Sequence, residues 1–357
     1  MDGSTSLGTE NDLNKIDGRV ILCVTCDVED SSIESLEQVK ETCERHKAPI
    51  TWFVEPRLCP EPSALNLLRD YCGRGDEVGL HMEWEGSLAR GLRSIPTEKI
   101  SAELEEAMQL LKPYFELVSF RGGGLCQTTA VLEAVKKSGF RFDSSVACGL
   151  DEPMGWYQGH DRILPLSAYY PSRRGYDVVG FENSDRFDIL EIPVTRGSPY
   201  PKLWSNMLEP GISSLGMMKT VFEQYYVRRQ FQPLVLMVVI FHSWSPRRSA
   251  TMIRDLDKFL EYAKGRDSEF ETIAKAGEQW KSIWERQPAA REALLWHGFS
   301  SDMKSRFLAA SIKLAILAHN CIQDPAYYPK RAISVCQHED DRERHKAEDR
   351  DKGNGSP

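Results

Sequence analysis

The chain has 357 residues, 41% hydrophobic and 27% charged, which fits one large or two ordinary globular domains and excludes collagen-like and wholly disordered classes. Its formal net charge of −8, from 45 basic and 53 acidic side chains, argues against nucleic acid as a partner, because backbone binders carry a basic excess or stripe. No run approaches the roughly 18–20 apolar residues of a membrane-spanning helix, and the polar start lacks the basic and apolar regions of a signal peptide, so the expected location is cytoplasmic.

Residues 1–16, rich in Gly, Ser, Asn and Asp, predict a disordered leader. From Arg19 onward, short apolar runs alternate with helical patterns. Strands are expected at 19–25, 50–54, 77–81, 118–121, 142–146, 188–193 and 233–242. Helices are expected at 32–46, 63–72, 97–111, 128–138 and 250–263, each opened by a capping residue or Pro, or stopped by Gly or Pro. Repeated strand–helix units with buried strands predict an α/β fold, parallel strands with helices outside. Their number favours a closed or nearly closed barrel spanning 17–286. The stretch 149–186 lacks periodicity and is expected to form irregular hairpins and loops over one end of it. Residues 287–325 predict a helical extension that packs on the barrel or on a second copy of the chain, making a homo-oligomer through these helices possible on sequence grounds. Residues 326–357 predict a disordered charged tail.

Nine cysteines in a chain of this length read as reduced thiols rather than a disulfide framework. Cys23 and Cys26 form a C-x-x-C inside the first strand, where positions i and i+3 point to opposite faces, so they do not read as a metal or redox pair.

Catalytic groups of α/β barrels sit at the C-terminal ends of strands. Here those ends carry Asp27-Val28-Glu29-Asp30, then His81-Met82-Glu83-Trp84-Glu85, Arg121-Gly122-Gly123-Gly124, Asp143-Ser144-Ser145, Glu191 and His242-Ser243-Trp244. Carboxylates, two histidines and an arginine would thus converge on one mouth. Trp84, Trp156, Tyr157 and Trp244 could form a stacking platform for a ligand, and Gly123 could let a ligand approach the backbone closely.

In this order the motifs resemble those of the polysaccharide deacetylases of the NodB-homology type, carbohydrate esterase family 4. The matching segments are Thr25-Cys26-Asp27-Val28-Glu29-Asp30, Pro49–Val54, Gly75–His81, Phe120–Gly124, Gly139–Ser145 and Val239–His242, spread over about residues 19–280. The resemblance implies a distorted (β/α) barrel and a divalent metal, either Zn or a harder ion such as Mn, Fe or Co. It implies Asp27 as catalytic base, Arg121 as the group that orients it and His242 as general acid. Metal ligands would be His81, one of Glu29 or Asp30, with Glu29 favoured, and one of Glu83 or Glu85, with Glu85 favoured. Substrate contacts would come from Trp84, Gly123, Glu191 and Trp244. The family's second metal histidine is absent, and Glu83 and Glu85 stand at its two usual spacings. A carboxylate there favours harder metals and adds negative charge, so the site either changes character or binds no metal.

The activity implied is metal-assisted hydrolysis of an acyl group, an N-acetyl group first of all, from a sugar or glycosylated biosynthetic intermediate. The alternative is a diverged chain on the same scaffold, either a non-hydrolytic enzyme or a carbohydrate-binding protein without metal.

Overall fold

The computed structural model describes residues 17–57, 59, 61–84, 95–125, 127–148, 165–197 and 206–286. The leader, the helical extension and the charged tail expected from the sequence lie outside the described residues, as do Glu85, Trp156 and Tyr157.

The strand and helix alternation takes shape as follows: β1 (Arg19–Val28), α1 (Ile33–Arg45), β2 (Ile50–Val54), α2 (Pro62–Cys72), β3 (Glu77–Met82), α3 (Thr97–Leu111), β4 (Ser119–Gly122), α4 (Thr129–Lys137) and β5 (Phe142–Asp143). A hairpin, β6 (Pro171–Ser172) and β7 (Gly175–Val179), then precedes β8 (Leu190–Glu191), β9 (Arg196–Gly197) and β10 (Asn206–Met207). The chain continues through α5 (Leu215–Tyr226), β11 (Leu234–His242), a short α6 (Ser245–Arg248), α7 (Ala250–Lys264), β12 (Glu269–Phe270) and α8 (Ile273–Arg286). Local signals place the helix starts. Ser32 accepts from the Ser35 amide, Thr128 from Val131 and Ser214 from Met217, so each caps orphan donors of the first turn.

The main sheet runs β11-β1-β2-β3-β4-β5-β8, with β12 added against β1, and every pairing in it is parallel. It curls into a partial barrel with helices around it. The expected closure is achieved by a connecting segment rather than by strand pairing. Val194 donates to Val146 O at 2.8 Å on one side, and Thr195 donates to Val238 O at 3.2 Å on the other. Ile240 donates to Leu208 O at 3.0 Å, which adds a second bridge to β11.

Side chains alternate strictly along β1. Leu22, Val24, Cys26 and Val28 pack in the layer between sheet and helices, whereas Ile21 and Cys23 pack in the barrel interior with Phe53, Phe142, Leu190 and Val238. Cys23 and Cys26 therefore face opposite sides of the sheet, as their spacing predicts, and all six cysteines among the described residues are free thiols. Thr25 and Asp27 continue the interior row, so β1 delivers a carboxylate to the barrel mouth on a fully paired strand.

Helix α8 plugs the interior with Ile273, Ala276, Trp280 and Trp284. The two indoles stack at 4.9 Å. A side chain on Gly277 would stand 2.4 Å from the Phe142 ring, so this close approach needs glycine. At the base of the sheet Glu77 accepts from Thr51 at 3.1 Å and from the Ala274 amide at 2.9 Å, placing a carboxylate at the N-terminus of α8. No helix among the described residues is long and apolar enough to cross a membrane.

Candidate active site

Four strand ends meet at the mouth. Asp27 and His242 are register partners on the adjacent parallel strands β1 and β11, so their side chains leave the sheet on the same face. His81 and Arg121 are register partners on β3 and β4. Of these four the sequence places Asp27 alone beyond its expected strand, since the strands expected at 77–81, 118–121 and 233–242 already include His81, Arg121 and His242. Pairing with β11 and β2 carries β1 on to Val28 and puts Asp27 on the strand as well.

Arg121 is fully buried and spends its guanidinium on neighbours. Nη1 donates to Asp27 Oδ1 at 2.7 Å and Thr25 Oγ1 at 2.8 Å. Nε donates to the Ser144 carbonyl at 3.0 Å and Nη2 to Ser144 Oγ at 2.9 Å. The guanidinium also lies 4.2 Å over the Phe53 ring. Burial pushes the Asp27 carboxyl up, but Arg121, with His81 and His242, outweighs it and holds the group below the usual carboxylate range. Asp27 is thus ionised at neutral pH and held in one orientation.

His81 is almost fully buried, and its Nδ1 lies 3.2 Å from the Arg121 carbonyl. That contact fixes the tautomer with the proton on Nδ1 and turns Nε2 toward the mouth. Nε2 lies 3.5 Å from Glu29 Oε1 and 3.3 Å from Glu83 Oε1. Burial lowers the imidazole pKa, yet Asp27, Glu29 and Glu83 reverse this and raise it well above its usual value. The same carboxylates would draw any cation.

Asp27, Glu29 and His81 each offer one donor atom, and the three lie within 4.8 Å of one another. The His81 separations match the edges of a coordination shell with bonds of about 2.0–2.2 Å. An oxygen-rich set with one imidazole fits Zn, Mn, Fe or Co. The residues present therefore fit a divalent metal.

Of the alternatives left open by the sequence, the structure brings Glu29 to His81. Asp30 turns away, pairing with Arg247 and accepting from the Ser32 amide at 3.1 Å at the start of α1. Glu83 reaches His81. Its amide donates to the buried Glu55 carboxylate at 2.7 Å, and its carbonyl accepts from Arg57. Glu55 is in turn held by Arg57 Nε at 2.9 Å. The Glu83 carboxylate lies over Gly123, where a Cβ would come within 2.4 Å of it. Gly123 thus makes room for a protein carboxylate.

His242 stands across from Asp27. Its Nδ1 lies 3.3 Å from Oε1 of the buried Glu209, and its ring stacks on Trp244 at 4.6 Å. Burial lowers its pKa, but Glu209, then Asp27 and Glu29, turn the net shift upward. Trp244 Nε1 donates to Glu29 Oε2 at 2.7 Å and so fixes that carboxylate. Two residues expected to meet substrate are buried instead. Trp84 is 2% exposed and packs in the layer between sheet and helices, and Glu191 is 1% exposed beside Asp143. Sequence reading misses Glu209 and Glu55. Glu209 is a single acidic residue in a connecting segment with no spacing signal, whereas Glu55 directly follows β2 and its strand-end position is the signal that could have found it.

No protein-family model matches the sequence, and no curated protein matches it. Solved structures do match in fold. A glycoside hydrolase/deacetylase-type protein of Parabacteroides distasonis aligns with a TM-score of 0.58 at 13% identity, covering 75% of this chain and 72% of that one. A polysaccharide-deacetylase-type protein of Mycobacterium smegmatis aligns at 0.51 and 12% identity, covering 74% and 91%. One from Pseudomonas aeruginosa PAO1 aligns at 0.50 and 12% identity, with the same coverages. The parallel partial barrel with its surrounding helices thus has the NodB-type fold of the polysaccharide deacetylases.

Proposed function

We propose that the chain is a metal-dependent hydrolase that removes an acyl group, an N-acetyl group first of all, from a sugar or glycosylated intermediate. The observation that carries this reading is the cluster of Asp27, Glu29 and His81 within 4.8 Å of one another, opposite His242. Glu29 and His81 would hold the ion, with Glu83 beside them, while Asp27 borders the same site. A divalent ion held there supplies Lewis acidity, polarising an acyl carbonyl and acidifying water.

The remaining chemistry belongs to the chain. Asp27, kept ionised by Arg121, accepts the proton of the attacking water. Arg121 stops the base from rotating, through contacts on both sides of the barrel. His242, whose pKa is raised by Glu209, carries a proton to the leaving nitrogen or oxygen. Trp244, expected to meet substrate, instead stacks on the His242 ring and carries the Arg248 guanidinium over its own ring at 4.1 Å, which steadies the acid. A glycan substrate and a metal cofactor follow from this reading.

The test is metal content together with turnover. Protein purified without chelator should carry close to one divalent ion per chain by mass spectrometry. It should release acetate from N-acetylated oligosaccharides, lose that activity to a chelator and regain it with Zn or Co. Glu83→Ala should lower metal affinity by about 10–100-fold. A chain that binds oligosaccharide but takes up no metal would support the carbohydrate-binding alternative in place of hydrolysis.

A further inference from the structure

The mechanism makes no use of the buried carboxyl pair Asp143 and Glu191. The two residues are register partners on the parallel strands β5 and β8, exposed by 0% and 1%. Neighbours in register and closed off from solvent, the two carboxyl groups stand against each other. No Lys or Arg among the described residues pairs with either. Arg121, on the adjacent strand, directs its N–H groups to Asp27, Thr25 and Ser144. The other titratable group facing the pair is Tyr169, whose hydroxyl donates to the Tyr176 carbonyl at 2.9 Å.

Hydrogen-bond polarity decides where a proton must sit. Gln127 Oε1 accepts from the Thr128 amide at 2.9 Å, so its amide nitrogen is left to donate to Asp143 Oδ2. Ser145 Oγ accepts from the Gly122 amide at 2.8 Å, so its hydrogen is left to donate to Asp143 Oδ1. Asp143 is thus approached by donors on both oxygens and serves as acceptor. Glu191 is approached by backbone amides alone, Val146 at a long 3.4 Å and Ser145. Two ionised carboxylates side by side in this interior would repel with no cation to offset them. Glu191 can bond to Asp143 only as a donor.

We infer that Glu191 keeps its proton at neutral pH and donates it to Asp143, anchoring the Asp143–Ser145–Gly122 chain that positions the glycine turn beneath Glu83. Burial, followed by the neighbouring Asp143, raises the Glu191 carboxyl well above its usual range, and burial lifts Asp143 to about 6. The inference concerns the proton and the turn, and holds whether or not the chain hydrolyses an acyl group.

A group protonated in the folded chain and ionised in the unfolded one costs stability as pH rises from its unfolded pKa toward its folded pKa. Above pH 7 Asp143 is ionised in both states, which leaves Glu191 as the member of the pair that differs. Urea unfolding of the wild type and Glu191→Gln at pH 7 and pH 8 reads this directly. The wild type's folding constant, relative to the variant's, should fall about tenfold over that unit. The Gly122 amide should stay protected from hydrogen exchange in Glu191→Gln, which still offers a donor, and lose protection in Glu191→Leu, which offers none. Parallel stability profiles at the two pH values would overturn the inference, and so would equal Gly122 exchange in the two variants. Should Glu191→Gln fail to fold, infrared spectroscopy of the wild type decides, since a spectrum with no protonated-carboxyl stretch at pH 7 refutes it.

Discussion

Asp27 is the residue on which the proposed chemistry turns, and its surroundings separate charge from shape. Asp27→Asn keeps the size and a hydrogen-bonding oxygen for Arg121 but cannot take up a proton. We expect turnover to fall about 10²–10⁴-fold while the far-ultraviolet circular dichroism and the metal content stay near wild type. A variant that keeps half its activity would assign the base elsewhere. The residues legible in the sequence were those on strands: Asp27, His81, Arg121 and His242 each follow a run of apolar residues that announces the strand. Glu209 was not, because its role arises only when a connecting segment folds back against a strand end 33 positions away, facing His242, whereas Glu55, which faces Glu83 from 28 positions away, does directly follow a strand.

Among the elements, β2 has the same bounds in the sequence reading as in the structure, α1 and β3 differ by a residue at their ends, and α3 agrees at both ends. Their patterns are reinforced by capping residues and by glycine or proline stops. β5 is shorter than the expected 142–146, since the Gly122 amide and the Ser144 carbonyl, which would extend the ladder, bond instead to Ser145 Oγ and Arg121 Nε. α5 escapes the sequence reading although Met218, Val221, Phe222 and Tyr225 bury at helical spacing, because Gly216 and the Met and Tyr residues around them blur the contrast. The joints between elements are polar and buried. Asp76, at the start of β3, accepts from Lys40 of α1 at 2.7 Å, and from the Ile50 amide at 3.1 Å and Trp52 Nε1 at 2.9 Å of β2. Asp76→Ala would leave the buried Lys40 ammonium only its 3.5 Å pairing with Glu44 and would strand two further donors. It should lose about 3–5 kcal/mol of stability in urea unfolding, with little change in the catalytic constants of the fraction that remains folded.

For the whole molecule, the barrel interior and the outer layer are two separate apolar clusters divided by one sheet, and both contain thiols. Burial pushes the Cys23, Cys26 and Cys43 thiols up, far from the range in which thiolates react. Alkylation of these cysteines should therefore follow the global urea transition measured by tryptophan fluorescence. Labelling that begins well before the transition would show that the sheet opens in parts. The parallel fold was readable from strand–helix alternation. The closure through Val194, Thr195 and Leu208 was not, because backbone hydrogen bonds of a connecting segment leave no trace in side-chain patterning.

Register gives the pairing of Asp27 with His242 a further meaning. Their spacing is set by the repeat between neighbouring strands, about 4.8 Å, and by nothing a flexible loop could alter. A slip of one residue between β1 and β11 would bring Asp27 opposite Phe241 or Ser243, and Phe241 belongs to the opposite face. The arrangement of the proposed base and acid is thus a digital property of the fold. A correctly zipped sheet has it and a misaligned one lacks it, so a misfolded chain cannot carry a partly assembled version of this site.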